Sequence, residues 1–508
     1  MEPYSTHRRI RDAGMYLLDF PVKKRRCKKE RHHEFPPMKK KTLSAKQLTK
    51  DSSKGHRNYI ILLCDILLFF AMLFWLPLDP EVSKGLAILA FIAVLWLTEA
   101  VHVTITALMV PVLAMMLGIL PGKSAMVGFS DPIIFLFFGG FALAGALHEQ
   151  KIDSWLAGKI LRFSKGKLWL ALGLIFMATA FLSMWMSNTA TAAMMLPLVI
   201  GLMSEVDGEK YKTTWIFAVL GVAYSASIGG MGTLVGSPPN AIAAHELGMG
   251  FYDWFLVGFP VACVFGVVVF AVMWLMLRPK LTLNIQADKE ISTASKETGR
   301  DKLDGKQKRV LGLFTLIAIC WMCSSFISGL LGDFAEMDAM IALCAVVLLA
   351  VSGVINWTAI VKNTDWGVLL LFGGGITLSS VLMKTGAGHF LAAQMTELSA
   401  GHSTFFFLLI VSAFISLLTE FCSNTASAAL VAPLMVTVAA EMGIPAEPLV
   451  LLIGIGASCA FMLPVSTPPN AIAYASGKVP QSAMIRIGLT VDLVLIVVKA
   501  GWAYLFWM

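Results

Sequence analysis

Along most of its length the chain alternates apolar runs, each near the roughly 20 residues a helix needs to cross a bilayer, with short polar turns. One series lies at about 59–78, 84–99, 103–120, 133–148, 214–232 and 254–278, and a second at about 310–332, 338–355, 366–383, 448–464 and 481–507. Two further apolar stretches, about 168–203 and 404–440, are too long for one span, and each is interrupted centrally by uncharged polar residues. They read as re-entrant hairpins. The pattern predicts an all-α polytopic membrane protein with about 11 transmembrane helices and two hairpins.

The runs also repeat. Asp131-Pro-Ile-Ile-Phe-Leu-Phe-Phe-Gly139-Gly140 resembles Asp365-Trp-Gly-Val-Leu-Leu-Leu-Phe-Gly373-Gly374, 234 positions on. Ser187-Asn188-Thr189-Ala-Thr-Ala-Ala returns 236 positions on as Ser423-Asn424-Thr425-Ala-Ser-Ala-Ala. Ser237-Pro238-Pro239-Asn240-Ala-Ile-Ala returns 230 positions on as Thr467-Pro468-Pro469-Asn470-Ala-Ile-Ala. After a first span at 59–78, repeat 1 covers 84–278 with hairpin 168–203, and repeat 2 covers 310–508 with hairpin 404–440. Each copy holds five spans and one hairpin, and five is odd, so the second copy is expected upside down relative to the first. Inverted repeats place substrate and ion sites near the midplane, at interrupted helices in corresponding positions of both halves. The Ser-Asn-Thr and Pro-Pro-Asn blocks are those interruptions, because proline breaks a helix and irregular backbone at that depth must line a cavity or be buried in protein.

Composition agrees: a chain 57% hydrophobic and only 14% charged cannot present a normally charged water-facing surface. The net charge of +8 is concentrated in residues 1–58, which hold 17 Lys/Arg against 6 Asp/Glu. This tail, from Arg8 through Lys23-Lys24-Arg25-Arg26 to Lys39-Lys40-Lys41, is expected to be a cytoplasmic anchor rather than a nucleic-acid arm. No cleavable signal pattern is present, and Met38 offers an alternative start. The linker 279–309 is basic and expected in the cytoplasm, as is the loop of Lys151, Lys159, Arg162, Lys165 and Lys167. The loops His245–Asp253, Gly332–Asp338 and Glu441–Glu447 lack Lys and Arg and fall outside, which places the C-terminus outside.

Seven of the eight cysteines lie in or beside apolar segments, Cys27 being the exception, so neither a disulfide framework nor a zinc site is expected. Cys320-Trp-Met-Cys323 has the CxxC spacing but no partner pair. The polar blocks carry the chemistry. Each Ser-Asn-Thr opens an Ala-rich helix, whose free N–H groups and positive dipole end suit an anion, while hydroxyl, amide and unwound carbonyl oxygens suit sodium. The windows 183–199, 229–244, 419–435 and 458–474 contain no Lys, Arg or His. A dianion held there would lack a protein counter-charge, and co-bound cations would supply it.

The paired Ser-Asn-Thr motifs and paired Pro-Pro-Asn loops, over about residues 59–508, resemble the divalent-anion/sodium symporter family, which includes sodium-dicarboxylate and citrate carriers. The resemblance implies a homodimer, working by an elevator motion, that carries a dicarboxylate such as succinate, malate or fumarate with sodium. It implies a first sodium site of Ser183, Ser187, Asn188 and the Gly236 carbonyl, and a second of Thr419, Cys422, Asn424 and Ser466, with Cys422 and Ser466 giving backbone carbonyls. Substrate carboxylates would meet Asn188, Thr189 and Ser237 from one half and Asn424, Thr425 and Thr467 from the other. Ser183 and Thr419 are themselves 236 positions apart. Glu420 breaks the symmetry, since Met184 is its counterpart; it reads as a buried structural carboxylate, with tuning of the second cation site or proton binding as alternatives. Asp65, Glu99, His102, Asp492 and Lys499 read as interhelical contacts. Rival readings are a sodium-independent carboxylate exchanger and a carrier of citrate or sulfate. An intramembrane enzyme is disfavoured by the lack of His-Glu-x-x-His, Gly-x-Ser-x-Gly and mirrored membrane aspartates.

Overall fold

The computed structural model describes residues 45–508 except 283–302, several positions between 153 and 165, and 205, 333, 335, 400 and 401. The tail to residue 44, with Cys27 and Met38, most of the linker 279–309, and Arg162 and Lys165 lie outside the described residues.

The described residues form helices and no strand. The helices of the first half are α1 (Ala45–Trp75), α2 (Pro80–Thr98), α3 (Val103–Met116), α4 (Pro132–Glu149), α5 (Leu168–Ser183), α6 (Asn188–Leu202), α7 (Lys212–Gly230), α8 (Pro238–Leu247) and α9 (Phe251–Leu277). Those of the second half are α10 (Gly305–Met322), α11 (Ser324–Leu331), α12 (Met337–Val351), α13 (Trp357–Asn363), α14 (Trp366–Thr385), α15 (Thr404–Phe421), α16 (Asn424–Met442), α17 (Glu447–Ala457), α18 (Pro468–Ala475) and α19 (Gln481–Phe506). Short helices at Gly122–Met126 and Ala387–Ser399 join them.

Among the described residues eight helices are long and apolar enough to cross a membrane, or nine if α10 and α11, bent by 72° at their junction, are one span. Three expected spans, 103–120, 338–355 and 448–464, yield helices of only 14, 15 and 11 residues. At 448–464 the helix stops early because the chain unwinds ahead of the two prolines. Both arms of the second helix pair, α15 and α16, are also long enough to cross. Length therefore does not separate hairpin from crossing there.

The repeat is visible in the packing. α5 and α6 pack on α7, as α15 and α16 pack on α17. The short helix after each break crosses to the other half: α8 packs on α16 and α17, and α18 on α6 and α7. Likewise α4 packs on α12 and α14 on α3. The repeated Gly-Gly block explains the last two contacts. A Cβ on Gly139 would stand 2.6 Å from Ala342 of α12, and one on Gly374 would stand 2.6 Å from Ala107 of α3. Only glycine permits helices to approach that closely. Lipid-length helices such as α1 expose large apolar side chains, among them Tyr59, Leu63, Phe74 and Trp75, whereas α7 is almost wholly buried.

An inverted arrangement puts the loops after the two helix pairs on opposite faces. Glu209 is exposed in the first of those loops, and Glu447, the first residue of α17, is exposed at the end of the second. On a cysteine-free background, Glu209→Cys should react with an impermeant maleimide only from the cytoplasmic face and Glu447→Cys only from the opposite face. Reaction of both from one side would rule out inversion.

Candidate functional site

Each Ser-Asn-Thr block sits where one helix of a pair ends and the next begins. Ser187 and Ser423 are the N-cap residues of α6 and α16; their hydroxyls accept from the N–H of Ala190 (3.2 Å) and Ala426 (3.4 Å). Capping uses one of the free first-turn donors, and the N–H groups of the next two residues keep no intrahelical acceptor. Helix α6 thereby presents Asn188 and Thr189, and α16 presents Asn424 and Thr425.

Behind each tip the same contact occurs twice. Ser183 Oγ lies 2.6 Å from Asn188 Oδ1 and 2.7 Å from the Ala226 carbonyl. Thr419 Oγ1 lies 2.6 Å from Asn424 Oδ1 and 2.7 Å from the Ala457 carbonyl. A hydroxyl has one proton, so it can donate to only one of these two acceptors. Each cluster is therefore three uncharged oxygens with more lone pairs than protons, the donor chemistry a hard cation satisfies. Glycine makes the first cluster accessible: a Cβ on Gly230 would stand 2.4 Å from Asn188 Oδ1, and one on Gly236 would stand 3.0 Å from the Ser183 carbonyl and 2.6 Å from that of Gly230.

The breaks are held by residues that the sequence reading passed over. Asn240 Nδ2 donates to the carbonyls of Gly230 (2.8 Å) and Thr233 (2.7 Å). Asn470 Nδ2 donates to those of Ala460 (3.1 Å) and Leu463 (3.2 Å). Both amides are fully buried. The repeated Pro-Pro-Asn block was the available signal, since its asparagine returns unchanged while the surrounding loop does not. The Ala226 and Ala457 carbonyls left no signal, because they belong to ordinary helical stretches.

A cavity of about 1240 Å³ joins the two halves, larger than a closed pocket for a small ligand. Of the fourteen assignments, which name twelve different residues, it is lined by Ser187, Asn188, Thr189, Gly236, Ser237, Cys422, Asn424, Thr425, Ser466 and Thr467. Ser183 and Thr419 are fully buried behind Asn188 and Asn424. Several side chains already have partners. Ser237 Oγ meets Ser458 Oγ across the halves at 3.1 Å, and Thr467 Oγ1 accepts from Asn470 N at 3.3 Å. Ser466 Oγ donates to the Leu463 carbonyl at 2.7 Å, and the Cys422 thiol points to the Leu97 carbonyl at 3.7 Å, which leaves their backbone oxygens as the groups to offer a ligand.

Basic residues are absent from the four polar windows, yet the cavity is not free of them. Lys362 of α13 and His148 near the end of α4 line it, with Glu99 and Asp365. They come from helices outside the two motif blocks, so inspection of those blocks alone misses them.

Comparison with known proteins identifies the family. A family model described as citrate transporter matches residues 93–453. A transporter of Haemophilus influenzae, itself uncharacterised, is 50% identical over 466 residues, covering 90% of this chain and 99% of its own. A protein named sodium-dependent dicarboxylate transporter SdcS, from Staphylococcus saprophyticus, is 31% identical, covering 85% of this chain and 88% of its own. The YdaH transporter of Alcanivorax borkumensis shares the fold, with a TM-score of 0.50 at 16% identity over 75% of this chain and 87% of that one. The chain thus belongs to the citrate transporter family, with sodium-dependent dicarboxylate transporters among its relatives, and is a multi-pass membrane transporter rather than an enzyme.

Proposed function

We propose that the protein carries small dicarboxylates such as succinate, malate and fumarate across the cell membrane together with sodium. The observation that carries this reading is the duplicated three-oxygen cluster, uncharged and set directly behind each Ser-Asn-Thr tip. Desolvating a carboxylate costs on the order of several kcal/mol, and no Lys, Arg or His stands in either polar block to offset it. Sodium ions at the two clusters supply the missing positive charge. Asn188 and Asn424 serve both partners, the amide oxygen facing the cation and the amide N–H or first-turn backbone N–H facing a carboxylate. Ser183 and Thr419 face the cation alone. Thr189, Thr425, Ser237 and Thr467 complete the substrate's surroundings, and the carbonyls of Gly236, Cys422 and Ser466, with Ser187, complete those of the ions.

Lys362 and His148 line the cavity at helix ends that the charge distribution assigns to the cytoplasm, which supports reading this as an inward-open form with the N-terminus inside and the C-terminus outside. Convergence of both tips on one cavity favours re-entrant pairs over separate crossings. The exchange of α8 and α18 between the halves ties the hairpins and broken helices into one unit, the part that moves in an elevator cycle. The homodimer is part of this proposal through the family resemblance. A second reading, carboxylate exchange without sodium, draws support from Lys362 as a protein-supplied positive charge in the cavity.

Uptake of labelled succinate, malate, citrate and sulfate into proteoliposomes separates these readings. The proposal expects dicarboxylate uptake that is electrogenic and driven by an inward sodium gradient. Equal succinate uptake in sodium and in choline would leave exchange as the surviving reading.

Asn188→Ala or Asn424→Ala should weaken sodium and succinate dependence together, each by roughly 5- to 150-fold for about 1–3 kcal/mol lost. Ser183→Ala and Thr419→Ala should chiefly raise the sodium concentration for half-maximal uptake, and Thr189→Ala and Thr425→Ala the succinate KM. Membrane-inserted Asn variants with wild-type sodium and succinate dependence would refute the site.

A further inference from the structure

The two copies are tied at the same place by different chemistry. In the first, the Thr233 hydroxyl of the break donates to the Met184 carbonyl at the hairpin tip. Glu420 stands 236 positions beyond Met184, and Leu463 stands 230 beyond Thr233. There the Glu420 carboxylate accepts from the backbone N–H of Met462 (2.8 Å) and Leu463 (2.9 Å). A neutral tie in one half is matched by an acidic side chain, only 2% exposed, in the other.

Charge accumulates around that second tie. Helix α19 packs on α15 and α17 and brings the buried Asp492 near Glu420 and Phe461. One face further along α19, the buried Lys499 ammonium donates to the Ser416 hydroxyl of α15. Tyr224 of α7 donates to the Phe461 carbonyl at 2.8 Å, and the buried Cys459 lies in the same break. The corresponding helix of the first half, α9, carries Asp253 in its first turn as its one charged residue. The first cluster therefore has no counterpart to this charge.

Position links the charge to the ions. Glu420 follows Thr419, whose hydroxyl belongs to the second cluster. The carbonyl of Leu463, whose N–H Glu420 holds, accepts from Asn470 and Ser466. Two backbone N–H donors replace water around a carboxylate, and a buried charge is screened far less than an exposed one. We infer that Glu420 is the positioning residue that makes the second cation site the stronger of the two, so that the first sodium to bind binds there. This rests on the sodium-coupled reading above.

Two measurements on the intact protein test it: the sodium dependence of the melting temperature without substrate, and the sodium concentration for half-maximal succinate uptake. Glu420→Gln should raise the sodium requirement in both by roughly tenfold or more, with succinate KM at saturating sodium changed less than about twofold. Glu420→Asp keeps the charge but is one methylene too short to hold both amides, and should shift the sodium requirement by roughly threefold. A Glu420→Gln protein with wild-type sodium dependence overturns the inference, even if it melts lower or transports more slowly. If the Gln variant fails to reach the membrane, an Asp variant with unshifted sodium dependence overturns it. Sodium-independent uptake by the wild type would instead remove the transport reading on which it rests.

Discussion

Unwound backbone inside a membrane must find its hydrogen bonds within the protein, and the rest of this structure depends on how that requirement is met at two places. Proline pairs at 238–239 and 468–469 start the short helices α8 and α18 and leave the preceding turns without regular partners. The buried amides of Asn240 and Asn470 each hold two of those carbonyls. The short helices then pack on the opposite half, so each copy helps to bury the other's break. Each amide thereby fixes the stretch of backbone that leads to Gly236 or Ser466, the residues proposed to offer carbonyls to the ions.

Electrostatics follows from this geometry. Neutral oxygens and helix N-termini can accept a cation or an anion alone only weakly in a low-dielectric interior, but together the two ligands neutralise each other. Symmetry would make the two proposed cation clusters equal. Glu420, Asp492 and Lys499, present in one half and replaced by apolar residues in the other, remove that equality.

Much of this was legible in the sequence because duplication marks it. Ser-Asn-Thr, Pro-Pro-Asn and the apolar block that ends in Gly139-Gly140 or Gly373-Gly374 each occur twice at nearly one offset, and each proves to occupy matching places: helix caps, helix breaks and close helix contacts. What was not legible depends on packing between distant segments. The Ala226 and Ala457 carbonyls look like any helical backbone until Ser183 and Thr419 are laid against them. Lys362 lies far from both motif blocks in sequence and enters the cavity only because α13 packs on α4. The partners of Glu420 are backbone amides, which sequence cannot name. Helix limits failed where the chain bends or unwinds, at Cys323 between α10 and α11 and beyond Ala457, since apolar composition continues through both.

The central claim is that cation and dicarboxylate bind as mutually neutralising partners on uncharged protein groups. Equilibrium binding of labelled succinate to the purified transporter, titrated across sodium concentrations at constant ionic strength, tests it without any transport step. The account predicts that succinate affinity falls steeply as sodium is replaced by choline, and that succinate raises sodium affinity by the same factor, as linkage requires. Succinate affinity independent of sodium would contradict it.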